Sequence, residues 1–177
     1  MLIPGQVISA VTFVGVIIHE LAHQLFCRLM KIPVFEVKYF QFRNPSGYVL
    51  HEKTEKPLAN FAVSVGPFLV NTVLGSIILL PVSTEIILFK NYTSILSLIL
   101  AWLGISILMH SFPSMGDAQA MTESILKNKN VNIFVKILVA PVIGLIYLGA
   151  IGSIFWLDLI YALGVGLLLP KLIVMLI

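Results

Sequence analysis

The sequence predicts an all-α, multi-pass membrane protein: a single domain over residues 1–177 with about five transmembrane helices and a small membrane-associated β-hairpin between the first two. Two observations predict this class. Hydrophobic residues make up 59% of the chain and charged residues 11%, against roughly 45–50% and 25% in soluble domains. The mean hydropathy is +1.04. Because a domain of 177 residues cannot hide so much apolar surface, we expect lipid as its solvent.

The remaining bulk properties exclude other classes. The net charge is +3, and the basic residues form no run of the kind that binds nucleic acid. Cys27 is the single cysteine, so an intramolecular disulfide is excluded. The first basic residue is Arg28, so the charged start of a cleavable signal peptide is missing. We therefore expect the N-terminal apolar segment to remain in the mature protein.

The first two predicted helices are bounded by prolines. The first covers about residues 3–30 and stops before Pro33, which disfavours helix at the residue that precedes it. The second covers about residues 58–80. Pro57 suits its first turn, and Pro81 stands just beyond its predicted end.

Three further apolar segments follow. The third predicted helix covers about residues 92–110, the fourth 131–150 and the fifth 153–177. Gly149 and Gly152 mark the break between the last two. This break allows either two full spans or one span followed by a broken one.

The segment between the first two helices has a different pattern. Two β-prone runs within residues 34–50 flank a turn at residues 44–47, Asn-Pro-Ser-Gly, which predicts a hairpin. A lone hairpin is only marginally stable, and open strand edges are not tolerated in hydrocarbon. We therefore expect the hairpin to pack on protein at the membrane surface.

Residues 114–127 form a short polar stretch after the third helix. Apolar residues recur there at near-helical spacing, at Met115, Ala118, Met121 and Ile125. This pattern predicts an interfacial loop followed by a helix.

The basic residues predict an orientation. After the first helix they are Arg28, Lys31, Lys38, Arg43, Lys53 and Lys56, and after the third they are Lys127 and Lys129. Only Lys90 falls between the second and third helices. The positive-inside rule places both basic regions in the cytoplasm. The predicted protein is a multi-pass protein of the cell membrane with its N-terminus outside.

The first predicted span contains His19-Glu20-Leu21-Ala22-His23, an HExxH motif. Residues four apart share one helix face, so both imidazoles can bind a single metal ion, while Glu20 can activate a water. Three ionisable side chains in one span are costly and favour a functional site. The alternative is a buried helix whose histidines form hydrogen bonds with neighbours.

A catalytic zinc site usually has three protein ligands and an open position. The unused candidates are Cys27, His51, Glu52, Glu55, His110, Asp117 and Glu123. Asp117 and His110 fall at the predicted cytoplasmic end of the third helix, at the depth of the motif. Asp117 is the preferred third ligand and His110 the second choice. Alternatively, Asp117 caps the helix that follows it.

For two of these candidate ligand sites, the sequence favours a structural role over metal binding. Cys27 lies four residues past His23, but a buried cysteine is more often a small packing residue. The sequence His51-Glu52-Lys53-Thr54-Glu55 lacks a second histidine and is typical of a solvated, charged connector.

Over roughly residues 15–125 the chain resembles the site-2 protease family, intramembrane zinc metalloproteases that cut transmembrane helices. The resemblance rests on the HExxH motif in the first span, the hairpin with Gly47-Tyr48-Val49, and a later segment with Pro113 and Asp117. In that family a segment of the form Asn-x-x-Pro followed by Asp-Gly supplies the third ligand.

This chain departs from the family pattern at several positions. His110 takes the place of the Asn and Ala118 that of the Gly, and the Pro-to-Asp spacing is one residue shorter. In the next helix of that family a Gly-Pro pair is followed by an Asn. Gly66-Pro67 with Asn71 is similar to this pattern, again with a shifted spacing. We expect a divergent, minimal member without accessory domains.

The resemblance implies one Zn²⁺ per chain, bound by His19, His23 and Asp117. Glu20 would act as general base and then as general acid. The implied partners are the lipid bilayer and the transmembrane helix of a protein substrate, which an edge strand of the hairpin would hold extended.

His110 and Asn71 are further candidates, for hydrogen bonds to the substrate or to the tetrahedral intermediate. The alternative for both is ordinary hydrogen bonding between helices. Two other function classes stay open: a non-catalytic membrane scaffold that retains the motif, and a metal-binding transporter, for which Gly- and Pro-interrupted helices are typical.

Overall fold

The computed structural model describes residues 4–54, 56–90 and 94–176. The outer ends of the first, third and fifth predicted helices and Glu55 lie outside these residues. In chain order the described elements are α1 (Gly5–Val11), α2 (Phe13–Leu29), β1 (Val34–Lys38), β2 (Tyr48–His51), α3 (Pro57–Leu88), α4 (Ile95–Met109), α5 (Met115–Met121), a π-helical turn (Thr122–Leu126), α6 (Ile133–Gly152), a 3₁₀ turn (Ser153–Phe155) and α7 (Leu157–Leu176).

The prediction of five transmembrane helices is wrong for the described residues. Two segments are long and apolar enough to cross a membrane, Pro57–Ile86 and Ile133–Phe155, with mean hydropathies of 2.0 and 2.3. Helices α1 and α2 together form a third candidate span if the bent pair is counted as one span. Helix α4 has 15 residues and is about 22 Å long, short of the roughly 30 Å hydrocarbon core.

The first predicted helix is in fact two helices. Helices α1 and α2 meet at Thr12 with a bend of 88°. The Ile8 carbonyl accepts two hydrogen bonds from Thr12, one from its amide at 2.9 Å and one from its hydroxyl at 2.7 Å, so Thr12 ties the bend to the last turn of α1. The mean hydropathy of this segment carries no information about the bend.

Helix α2 ends in a Schellman motif. The Ile32 amide donates to the Cys27 carbonyl at 2.8 Å, and the Lys31 amide donates to the Arg28 carbonyl at 3.1 Å. Lys31 has a φ of 57°, the left-handed conformation that this motif requires. Ile32 and Cys27 then pack together against Ala59 at the start of α3. The packing role predicted for Cys27 is confirmed.

Helix α3 is the centre of the bundle and contacts α2, α4, α5 and α7. Its predicted end at residue 80 is wrong, because the helix continues through Pro67 and Pro81 to Leu88. Apolar helices tolerate such prolines when neighbouring helices satisfy the freed backbone groups. Helices α3 and α4 pack closely at Gly75, because this residue has no Cβ. A Cβ there would lie 2.6 Å from Leu108 Cγ.

The predicted hairpin is confirmed, with a longer connection than expected. Strands β1 and β2 pair antiparallel, with Val34 opposite His51 and Lys38 opposite Tyr48, and both strands contact α2. The predicted turn belongs to a longer loop over residues 39–47. The Tyr48 hydroxyl donates to Glu36 Oε1 at 2.6 Å, and this bond raises the pKa of Tyr48.

The helix predicted within residues 114–127 is also confirmed, as α5 and the π-helical turn. Ala118 and Met121 are fully buried and pack against Ile143 and Ile146 of α6. Helix α6 continues through Gly149 and ends at Gly152, so the predicted break is confirmed at Gly152, where a 3₁₀ turn leads into α7.

Much of the apolar surface is exposed. In the segment Ile133–Phe155, only 17% of the most apolar 18-residue stretch is buried inside the protein. Four of its large side chains are more than 60% exposed, those of Phe134, Leu138, Leu145 and Leu148. Contiguous apolar surface of this extent is typical of a face that meets lipid. The fold is therefore compatible with a membrane protein.

Candidate metal centre

Helix α2 carries the HExxH side chains on its inner face. Glu20 is 7% exposed and His23 8% exposed, and the imidazole rings of His19 and His23 have centroids 4.9 Å apart. The helical spacing therefore brings the two rings together, as the sequence predicts.

Asp117 joins this pair from the first turn of α5. Its Oδ2 lies 3.6 Å from His23 Nε2, and one ligand atom from each of His19, His23 and Asp117 lies within 4.8 Å of the others. The same Oδ2 accepts hydrogen bonds from the amide and the hydroxyl of Ser114, at 2.8 and 2.6 Å. Asp117 thus completes a capping box, as in the alternative interpretation, and also faces the histidines.

The three side chains are donor types that catalytic zinc sites use, and their ligand atoms lie within 4.8 Å of one another. Two imidazoles and one carboxylate are a combination found in catalytic zinc sites. Ligands at roughly 2.0–2.2 Å from a tetrahedral zinc are about 3.3–3.6 Å apart, close to the 3.6 Å between His23 Nε2 and Asp117 Oδ2.

A backbone carbonyl orients His19. His19 Nδ1 lies 2.7 Å from the His110 carbonyl oxygen. Because a carbonyl can only accept, Nδ1 carries the proton and Nε2 keeps its lone pair for a metal. Metal-binding histidines typically make this second hydrogen bond.

Asn71 fixes the same carbonyl from α3. Its side chain is fully buried, and its Nδ2 donates to the carbonyls of His110 at 3.0 Å, Ile107 at 3.2 Å and Gly15 at 3.3 Å. This is the hydrogen bonding between helices that was the alternative for Asn71. The amide joins α2, α3 and α4 directly behind His19.

The His110 side chain forms its hydrogen bond with Thr12 and is not one of the three converging candidate ligands. Its Nε2 is 2.8 Å from Thr12 Oγ1. Because the Thr12 hydroxyl donates to Ile8, it accepts from His110, so Nε2 carries the proton. The ring of His110 thus holds the bend between α1 and α2, and its carbonyl holds His19.

Two glycines permit the close approaches around the site. A Cβ on Gly15 would lie 1.9 Å from the Ser106 carbonyl oxygen and 2.6 Å from His110 Cδ2. A Cβ on Gly47 would lie 2.7 Å from Glu20 Cγ. Gly15 therefore allows α2 to contact α4. Gly47 allows the hairpin loop to contact the side chain of Glu20, the candidate catalytic carboxylate.

A cavity of about 410 Å³ opens beside these residues. Its walls include His19 and Glu20 from α2, the loop residues 44–47, and the segment from Met109 to Met115. A volume of this size is typical of small-molecule and cofactor sites, and Glu20 is placed to act on a group bound within it.

The group of ligand atoms that converges among the described residues does not include the other candidates. His51 ends β2, and its Nδ1 contacts the Glu52 carbonyl oxygen at 2.9 Å. Glu123 lies 3.5 Å from Lys53, with both side chains exposed. The candidate Glu55 falls outside the described residues.

The sequence interpretation missed Thr12 and Gly15. The partner of Gly15 is Ser106 of α4, and the partner of Thr12 is His110, which caps the end of α4, 98 residues further along the chain. A polar residue within an apolar segment was the only signal for Thr12, and no local pattern marks its partner.

Neither a family model, nor a curated protein, nor a solved structure matches this chain. The resemblance to the site-2 protease family therefore rests on the quoted residues alone.

Proposed function

We propose that this protein is an intramembrane zinc metalloprotease of the site-2 protease type. The observation that carries the proposal is the convergence of His19, His23 and Asp117 from two helices, with Glu20 beside them on the wall of a cavity. Two adjacent histidines alone would be weak evidence, but a carboxylate brought to them from 94 positions away completes a catalytic donor set.

A zinc ion bound by these residues would polarise the scissile carbonyl and make a water more acidic. Glu20 takes a proton from the attacking water and later returns it to the departing amine. Its burial and its contact with Gly47 hold the carboxylate in one position. The His110 carbonyl and Asn71 keep the His19 ring aligned.

The proposed substrates are transmembrane helices of other membrane proteins. Their scissile bonds reach the site after unwinding, and strand pairing at the hairpin edge would keep the segment extended. The basic residues that follow α2 favour a site on the cytoplasmic side, with the N-terminus outside if α1 and α2 together form one span.

The test combines metal analysis with cleavage of reconstituted transmembrane substrates. We expect one zinc per chain and turnover in the wild type. Glu20→Gln should retain zinc and lose turnover by at least about 100-fold. Glu52→Gln, at an exposed glutamate, is the matched control and should behave as wild type. Equal turnover in Glu20→Gln and wild type would refute the mechanism.

Ligand variants separate the two choices for the third position. Asp117→Ala should lose most of the zinc, whereas His110→Ala should retain most of it, because only its backbone carbonyl contacts His19. Full zinc content in Asp117→Ala would exclude Asp117 as a ligand. Zinc without cleavage would favour the scaffold, and zinc flux into proteoliposomes that survives Glu20→Gln would favour the transporter.

A further inference from the structure

The cavity beside Glu20 has a second acidic wall. Asp158, at the start of α7, lines the same space as His19 and Glu20. Ile8 of α1 and Phe112 supply apolar surface of the same cavity. One cavity therefore contains the candidate catalytic carboxylate and a second carboxylate from a different helix.

The charge of this cavity is unbalanced. Its acidic lining residues are Glu20 and Asp158, and no Lys or Arg is among the described residues that line it. Asp158 Oδ1 accepts a hydrogen bond from the Leu159 amide at 2.9 Å, and no ion pair to Asp158 occurs within residues 4–54, 56–90 and 94–176. A carboxylate with spare acceptor capacity in a partly apolar cavity favours a cationic guest.

A hydroxyl strengthens the acceptor character of this wall. Ser153 also lines the cavity, and its Oγ donates a hydrogen bond to the Ala150 carbonyl at 3.0 Å. Because its single proton is used, Ser153 Oγ offers only lone pairs to a guest. Asp158 and Ser153 therefore both accept hydrogen bonds on the same wall.

We propose that Asp158 selects substrates with a Lys or Arg side chain close to the scissile bond. The alkyl stem of the basic residue packs on Ile8 and Phe112, and its charged end meets Asp158. A carboxylate in a pocket selects basic residues in the same way in other proteases. This inference rests on the proposed function, and it assigns the substrate class of that site.

The first test uses wild-type protein and paired transmembrane substrates that differ at one position. Lysine is placed in turn at each residue within about five of the cleavage site, and each substrate is compared with its Gln counterpart. At one position we expect kcat/KM to be roughly 10- to 100-fold higher for Lys, the effect of a charge-assisted hydrogen bond. Equal values for Lys and Gln at every position would overturn the inference.

The second test measures the role of Asp158 itself. Asp158→Asn should lower the ratio of kcat/KM for the Lys substrate to kcat/KM for the Gln substrate from its wild-type value to about one. Glu123→Gln, an exposed acid outside this cavity, is the matched control and should keep the preference. A preference that survives Asp158→Asn would refute the assignment.

A binding measurement separates this inference from the proposed function. Labelled Lys and Gln peptides are titrated against Glu20→Gln protein and against Glu20→Gln with Asp158→Asn. We expect tighter Lys binding in the first protein only, by roughly tenfold or more. If Lys peptides bind more tightly to Glu20→Gln alone and the wild type shows no turnover, the proposed protease activity is refuted and the Lys-selective site is retained. Turnover in wild type without preferential Lys binding would retain the protease and overturn the inference.

Discussion

Replacement of Asn71 by alanine tests whether the buried amide supports the metal site. Asn71 makes no contact with the candidate ligands through its own side chain. It acts through the His110 carbonyl, which accepts from Asn71 Nδ2 at 3.0 Å and from His19 Nδ1 at 2.7 Å. Removal of the amide should therefore loosen the acceptor that aligns His19.

The magnitude follows from the bonds that are lost. The amide has two protons for three carbonyls, so Asn71→Ala removes about two hydrogen bonds. At about 0.6 kcal/mol each, and at most about 1.7, the free energy of unfolding should fall by about 1–3 kcal/mol. Loss of a partner behind a metal ligand lowers affinity by roughly 10- to 100-fold. Because His19 keeps its own bond to the carbonyl, we expect about tenfold.

Asn60→Ala is the matched control for this variant. Asn60 is also a buried asparagine of α3, and its Nδ2 donates to one backbone carbonyl, that of Thr54, at 2.7 Å. Both variants are measured in detergent by thermal unfolding and by competition for zinc with a chromophoric chelator. Both should be destabilised, but only Asn71→Ala should bind zinc more weakly. Equal zinc affinity in the two variants would refute the proposed link between Asn71 and His19.

Two further predictions concern backbone positions. Gly47→Ala places a Cβ 2.7 Å from Glu20 Cγ and should lower kcat by about 10-fold or more with unchanged zinc content. Gly144→Ala, where a Cβ meets open space, is its control, and equal kcat values would contradict the contact. Lys31→Gly should raise the free energy of unfolding by about 0.5–1 kcal/mol, because relief of the left-handed strain exceeds the added chain entropy. Thermal unfolding measures this, and an equal gain in Lys31→Ala would exclude strain as the cause.

Local spacing predicted the part of the site that lies on one helix. His19 and His23 are four residues apart, and helical geometry alone brings their rings to one face. Asp117 needed a different argument, since only the demand for a third ligand and the resemblance singled it out. The cap of α5 is Ser114, with Asp117 three residues later in the capping box, and the same carboxylate oxygen lies 3.6 Å from His23 Nε2.

The bend at Thr12 and the role of Asn71 could not be predicted from local sequence. Hydropathy reports how apolar a segment is and is insensitive to its direction, so α1 and α2 were interpreted as one helix. Pro81 caused the opposite error, because a proline that ends helices in water is tolerated within an apolar helix. The partners of Asn71 lie on α2 and α4, 36 to 56 residues away, and a single sequence contains no pattern that pairs them.

Close packing explains how these polar groups coexist in an apolar chain. Burial of a polar group without a hydrogen-bond partner is costly, and at this site the partners of His19 and of the Asn71 amide nitrogen lie on neighbouring segments. Gly15 allows α2 to approach α4 closely enough for His19 to reach the His110 carbonyl. The glycine on α2 is therefore as necessary to the candidate site as the ligands, and any larger residue there would separate His19 from its acceptor.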